Sequence, residues 1–124
     1  MELALRQVGK NLVVSFVGRV DLEGETSVLF KERLKQLIAD GNVHVIVDLG
    51  NVGFLDSQGL GALISGLKVL RQVEGSFVLT NLSEPVEAVL RITRLIRVLD
   101  IEPTVEDALR NAAGKTTPTA VQGA

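Results

Sequence analysis

The residues best suited to chemistry are Asp56 and Ser57, which adjoin in the segment DLGNVGFLDSQGLGAL at residues 48–63. An apolar run precedes this segment and a helical pattern of leucines follows it. We therefore expect the pair at a turn from a strand into a helix. The unpaired N–H groups and the dipole at a helix N-terminus favour negative charge. A phosphate on the Ser57 hydroxyl would be tolerated by the fold and visible to a binding partner.

Ser57 also suits a purely structural role, because serine is among the preferred residues at a helix N-cap. Gly59 and Gly61 follow in the expected first helical turn, where each glycine weakens the helix by about 1 kcal/mol relative to alanine. Small residues there would allow another backbone or a bulky group to approach closely. Phe54 and Leu55 occupy the expected turn, where polar residues are usual. The residues alone leave both roles of Ser57 open.

The patterns of known catalytic and nucleotide-binding loops are missing. The segment has no P-loop ending, no dinucleotide fingerprint around Gly59 and Gly61, and no Gly-x-Ser-x-Gly elbow. The only histidine, His44, lies in an apolar run and is more typical of a packed residue than of a catalytic triad. Asp21 and Asp56 could together hold a metal or exchange protons, but turn aspartates more often cap loops. We predict no enzymatic activity, no metal and no cofactor.

Charge and composition exclude several kinds of partner. The net charge is −2 and the basic residues are scattered, which argues against direct nucleic-acid binding and against attachment to an anionic membrane. Arg91, Arg94 and Arg97 recur every three residues, either to pair with a partner's acidic group or as a solvated helix end. The chain has no cysteine, no signal-peptide pattern and no apolar run near the ~20 residues that span a bilayer. We expect a cytoplasmic protein without a membrane span.

Hydrophobic periodicity predicts alternating strands and helices within one domain of residues 1–113, followed by a disordered tail at 114–124. The predicted strands cover residues 2–8, 11–17, 43–49, 77–80 and, at an edge, 97–99. The predicted helices cover residues 25–39 and 58–73, a stretch opened by Ser83 and Pro85, and a last stretch from residue 103. This order indicates an α/β fold: a mixed four- to five-stranded sheet with about four helices packed mainly on one face.

The segment at residues 48–63 resembles the signature of STAS domains, in particular that of the bacterial anti-sigma-factor antagonists. Gly18-Arg19-Val20-Asp21 looks like the Gly-x-x-Asp of this family, which follows its second strand, and the stretch at 85–99 supports the resemblance. It covers about residues 3–112. The sequence departs from the family at three places: Thr93-Arg94-Leu95 replaces a common Thr-Gly-Leu, Glu74-Gly75-Ser76 replaces a common Gly-Gly, and Gln58 stands where many members have Ser.

The resemblance implies a phospho-switched binding module. The serine that matches Ser57 would be phosphorylated by a serine kinase that is itself the anti-sigma factor. The unmodified antagonist would bind that kinase and release a sigma factor, and a metal-dependent serine/threonine phosphatase would reset the switch. The residues expected to contact the partner are Asp21, Val52, Phe54, Asp56, Ser57, Gln58, Gly59 and Gly61.

A second function of the same family remains open. STAS domains also serve as subunits of transport or lipid-trafficking assemblies at the cytoplasmic membrane face, often without an acceptor serine. The presence of Ser57 directly after Asp56 favours the antagonist.

Overall fold

A computed structural model describes residues 1–112, and the expected disordered tail at 114–124 lies outside the described residues. Residues 1–112 form seven strands, three longer helices and a further, shorter helical stretch at residues 105–112. The strands are β1 (Leu3–Val8), β2 (Asn11–Phe16), β3 (Val20–Leu22), β4 (His44–Asp48), β5 (Val52–Leu55), β6 (Ser76–Thr80) and β7 (Asp100–Glu102). The helices are α1 (Gly24–Ala39), α2 (Ser57–Gln72) and α3 (Glu84–Ile92).

The main sheet has five strands in the order β1-β2-β4-β6-β7. β1 and β2 form an antiparallel hairpin, which turns at Gly9 with a φ of +59°. The other neighbouring strands are parallel, because each crosses over through a helix or a helical turn before it returns to the sheet. The prediction of a mixed four- to five-stranded sheet is confirmed, with five strands present in residues 1–112.

Three helices cover one face of the main sheet and the stretch at 105–112 lies on the other. Alternate residues of β2, β4 and β6 pack with α1, α2 and α3 in the larger core, where the rings of Phe16 and Phe30 lie 5.0 Å apart. The intervening residues of the same strands pack against Val105 and Ala108 in a smaller cluster. The prediction of helices mainly on one face is therefore confirmed, and residues 105–112 account for the other face.

A second, two-stranded sheet was not predicted. β3 and β5 pair in parallel, with Asp21 opposite Phe54 and Leu22 opposite Leu55. Phe54 and Leu55, which were expected in a turn, instead belong to a strand. The pairing orders β3 directly before α1 and β5 directly before α2. This small sheet positions the starts of the two helices relative to each other.

The predicted edge strand at residues 97–99 is wrong. Residues Leu95–Arg97 form a 3-10 turn, and the edge strand is β7, which pairs with β6. Arg94 precedes the turn with a φ of +63°, and Glu74 has a φ of +57°. Both therefore adopt the left-handed conformation that glycine adopts most easily, at two of the three places where the sequence departs from the pattern that it resembles. Within residues 1–112, no helix has the length and apolar character needed to cross a membrane.

Candidate functional site

Ser57 is the first residue of α2 and is exposed. The N-cap is Asp56, whose Oδ1 accepts hydrogen bonds from the N–H groups of Gln58 and Gly59, each at 2.9 Å. The capping role considered for Ser57 is thus filled by its neighbour, because the aspartate carboxylate reaches two N–H groups of the first turn. The Ser57 hydroxyl is left at the surface of a helix N-terminus.

Asp56 also connects the starts of two helices. Its Oδ2 accepts a hydrogen bond of 3.3 Å from the N–H of Gly24, the first residue of α1. The hydrogen bond from Gly59 is the main cause that lowers the pKa of the Asp56 carboxyl, desolvation opposes it, and the N–H groups of Gly24 and Gln58 lower it further. Asp56 therefore carries its negative charge beside Ser57 at neutral pH.

Gly59 and Gly61 have different environments. Gly59 is buried, and a Cβ there would lie 2.3 Å from the carbonyl oxygen of Leu22. The backbone that approaches this glycine is the chain's own, so Gly59 is required by the packing of α2 on β3. Gly61 is exposed, and a Cβ there would meet no atom within 4 Å. Gly61 therefore leaves an open surface one helical turn beyond Ser57.

Five of the predicted contact residues are exposed, and we call them the Ser57 surface: Asp21, Phe54, Ser57, Gln58 and Gly61. Phe54 is 43% exposed, although it is a large apolar side chain, and it pairs with Asp21 across the small sheet. Ser57, Gln58 and Gly61 lie in the first turns of α2. Phe54 lies on the preceding strand β5, and Asp21 lies opposite it on β3. The surface combines a hydroxyl, an aromatic ring and a carboxylate.

The structure corrects the place of Val52 among the predicted contact residues. Val52 is fully buried in the core, so its side chain cannot meet a partner. Its carbonyl oxygen instead accepts a hydrogen bond of 2.8 Å from the hydroxyl of Ser83, the N-cap residue of α3. Leu55 is buried as well. The accessible residues of β5 are therefore Phe54 and the half-buried Gly53.

Arg19 was not among the predicted site residues. Its Nη2 would lie 2.8 Å from a Cβ on Gly53, and Oδ1 of Asp21 would lie 3.1 Å from the same point. The only signal in the sequence was the presence of a glycine in β5, which leaves room for the two charged side chains above it. Arg19 therefore contributes a positive charge next to the Ser57 surface.

Histidine and metal chemistry do not contribute to this surface. His44 is paired with Ser76 across β4 and β6, with 2.9 Å between Nδ1 and Oγ. Within residues 1–112, no three acidic or histidine side chains gather into a group that could hold a metal ion. The chemistry available at the Ser57 surface is that of a hydroxyl at a helix N-terminus.

The family profile described as STAS domain matches residues 2–108. The chain belongs to the STAS domain family. A relative in Thermotoga neapolitana, provisionally assigned as an anti-sigma factor antagonist, is 33% identical over 104 residues, which are 83% of this chain and 92% of the relative. The anti-sigma-B factor antagonist of Bacillus subtilis is 27% identical over 106 residues, 86% of this chain and 94% of that protein.

Solved structures of STAS proteins share the fold. A crystal structure of a provisionally assigned anti-sigma factor antagonist from Thermotoga maritima matches with a TM-score of 0.81 at 25% identity, over 88% of this chain and 92% of that one. The phosphorylated form of the Bacillus cell fate determinant SpoIIAA matches with a TM-score of 0.68 at 20% identity, over 90% and 99% of the two chains. A murine anion transporter, Slc26a9, matches with a TM-score of 0.71 at 18% identity, over 88% of this chain and 18% of the transporter. The last two likenesses show the fold alone.

Proposed function

We propose that this STAS protein is an anti-sigma factor antagonist that is switched by phosphorylation of Ser57. In its unmodified form it binds an anti-sigma factor that is also a serine kinase, and so releases a sigma factor in the cytoplasm. The kinase phosphorylates Ser57 and thereby ends the complex, and a metal-dependent serine/threonine phosphatase restores the binding form. The protein itself performs no catalysis in this cycle.

The observation that carries the proposal is that Asp56, and not Ser57, caps the N-terminus of α2. Asp56 caps α2 with two hydrogen bonds of 2.9 Å, so Ser57 has no capping role and its exposed hydroxyl is accessible to a kinase. Relatives named as anti-sigma factor antagonists support the general role.

Electrostatics and hydration explain how one phosphate could end the complex. A phosphoserine adds roughly −1.5 to −2 charges, directly beside the ionised Asp56. The phosphate would bring its hydration shell into an interface that otherwise covers the apolar ring of Phe54. A penalty of ~3 kcal/mol already weakens binding more than a hundredfold. Since the helix N-terminus accommodates the anion, no refolding is needed.

The test uses the host's cognate kinase with four purified forms of the full chain: wild type, Ser57→Ala, Ser57→Asp and Gln36→Asp. Gln36 is exposed on α1, so Gln36→Asp adds the same charge away from the Ser57 surface. We expect wild type, Ser57→Ala and Gln36→Asp to bind the kinase, Ser57→Asp to bind at least tenfold more weakly, and only Ser57→Ala and Ser57→Asp to escape phosphorylation. Equal binding by Ser57→Asp, or phosphorylation of Ser57→Ala, would refute the switch.

The transport or lipid-trafficking alternative predicts a different result from the same proteins. Used as baits in host lysate, all four forms would then capture membrane-assembly subunits regardless of the residue at position 57. That outcome would replace the antagonist with the alternative function.

A further inference from the structure

Strand β1 lies at the edge of the main sheet and pairs only with β2 among the strands of residues 1–112. Its four central residues are exposed, namely Ala4, Leu5, Arg6 and Gln7. Exposed edge strands tend to pair with another chain unless charges, prolines or bulges prevent it. β1 contains no proline, its register with β2 is regular over all six residues, and its single charge, Arg6, can be matched by an acidic residue of the added strand. The edge is therefore open to a further strand.

The hydrogen-bonding pattern of the hairpin defines which groups of β1 face outward. The N–H of Val17 donates to the carbonyl oxygen of Glu2 at 2.9 Å, so Glu2 and Val17 form a hydrogen-bonded pair. Because such pairs alternate along an antiparallel ladder, Ala4 and Arg6 also bond toward β2. The N–H and C=O groups of Leu3, Leu5 and Gln7 consequently point away from β2 toward the free edge.

We propose that the partner of this edge is a second copy of the same chain, whose β1 adds antiparallel about a two-fold axis at Ala4. Residues with outward-facing groups must pair with each other, which restricts the register to steps of two residues. With Ala4 on the axis, Leu3 forms a hydrogen-bonded pair with the partner's Leu5, and Leu5 does so with the partner's Leu3. The two main sheets would join into one continuous sheet.

Charge complementarity selects this register over its neighbours. Glu2 then lies opposite the partner's Arg6, and the same pair recurs on the other side of the axis. Shifting the register by two residues places either Glu2 or Arg6 opposite the partner's Ala4, and both ion pairs are lost. Cross-strand pairs of opposite charge stabilise a sheet, so the exposed Glu2 and Arg6 favour this register over the neighbouring ones.

Apolar burial favours the same arrangement. Leu3 and Leu5 share the face opposite to that of Ala4 and Arg6, and Leu5 is 41% exposed in the single chain. Pairing about Ala4 brings the two leucines of each copy together in a cluster of four. None of these residues belongs to the Ser57 surface, so the pairing is independent of the proposed switch.

Disulfide trapping tests both the pairing and its register, because the chain has no cysteine of its own. Ala4 would face the partner's Ala4 as a non-hydrogen-bonded pair, with Cα atoms about 4.5 Å apart, which suits a disulfide. In the matched control Arg6→Cys, the two thiols share a face but lie four residues apart, about 13 Å along the strand. We expect covalent dimers of Ala4→Cys but not of Arg6→Cys under mild oxidation. Equal trapping of both variants, or of neither, would overturn the proposal.

A charge exchange in the full chain gives a second, reversible readout by sedimentation equilibrium. Glu2→Arg and Arg6→Glu each place like charges opposite one another at two positions, so each should raise the dimer dissociation constant about tenfold. The double variant restores opposite charges and should return the constant to near the wild-type value. A monomer at all concentrations up to millimolar, or no recovery in the double variant, would contradict the two-fold pairing.

Discussion

Alanine at Gly59 is predicted to destabilise the protein, because the site has no room for a methyl group. The added Cβ would lie 2.3 Å from the carbonyl oxygen of Leu22 and 2.8 Å from the Cβ of Leu55. One of these atoms is backbone and the other belongs to a buried residue, so neither moves without displacing β3 or β5. Overpacking of this kind costs about 1–3 kcal/mol. We expect Gly59→Ala to lower the free energy of unfolding by that amount.

Alanine at Gly61 is predicted to have the opposite effect, although it lies only two residues further along the same helix. A Cβ at Gly61 meets no atom within 4 Å. Alanine is favoured over glycine within a helix by about 0.8–1.0 kcal/mol. Gly61→Ala should therefore raise the free energy of unfolding by about 1 kcal/mol, so the two variants should differ by about 2–4 kcal/mol.

Urea unfolding followed by far-UV circular dichroism measures both changes on one scale. The slope of free energy against urea should stay unchanged, so that the shift in midpoint reports stability alone. Comparable midpoints for Gly59→Ala and Gly61→Ala would refute the reasoning, since the close approach of α2 to Leu22 would then be absent. Binding of Gly61→Ala to the proposed kinase, measured on the same samples, separates a role of Gly61 in partner contact from its effect on stability.

Two further predictions concern the cap and the left-handed residues. The lowered pKa of Asp56 means that its contribution to stability is fully present above the pKa of the unfolded chain, near 3.8, and is lost as the pH falls through the folded pKa. Thermal unfolding from pH 7 to pH 2 should therefore show a smaller acid-dependent decrease for Asp56→Asn than for wild type, and an unchanged decrease would contradict this. Arg94→Gly and Glu74→Gly should each raise the free energy of unfolding by about 0.5–1 kcal/mol, because they relieve a left-handed conformation. Lower urea midpoints for both variants would show that the two side chains stabilise their turns.

The parts of the fold that were predictable are those with strong local signals. β4 and α2 lie within two residues of their predicted ends, because a run of apolar residues and a regular stripe of leucines identify them. β3 and β5 are only three and four residues long, and within residues 1–112 they pair with each other alone. Such short segments carry too little periodicity to be recognised, and their pairing depends on contacts distant in sequence.

The candidate site was partly predictable for the same reason. The residue types of Asp56 and Ser57 both suit an N-cap, and only the backbone geometry assigns the cap to Asp56. Val52 is buried in the core, and its carbonyl oxygen accepts a hydrogen bond from Ser83. Both contacts are with residues distant in sequence, so the local pattern did not reveal them. The need for glycine at position 59 depends on Leu22, a residue of another strand.

The hydrogen bond from Gly24 to Asp56 joins two segments that are 32 residues apart in sequence. The starts of α1 and α2 are thus held together before any partner arrives. A preorganised surface loses little conformational entropy when it docks, so a modest contact area suffices for tight binding. Association should then proceed without a slow ordering step. Under the proposed switch, a cell could therefore exchange one partner for another as fast as the kinase and the phosphatase act.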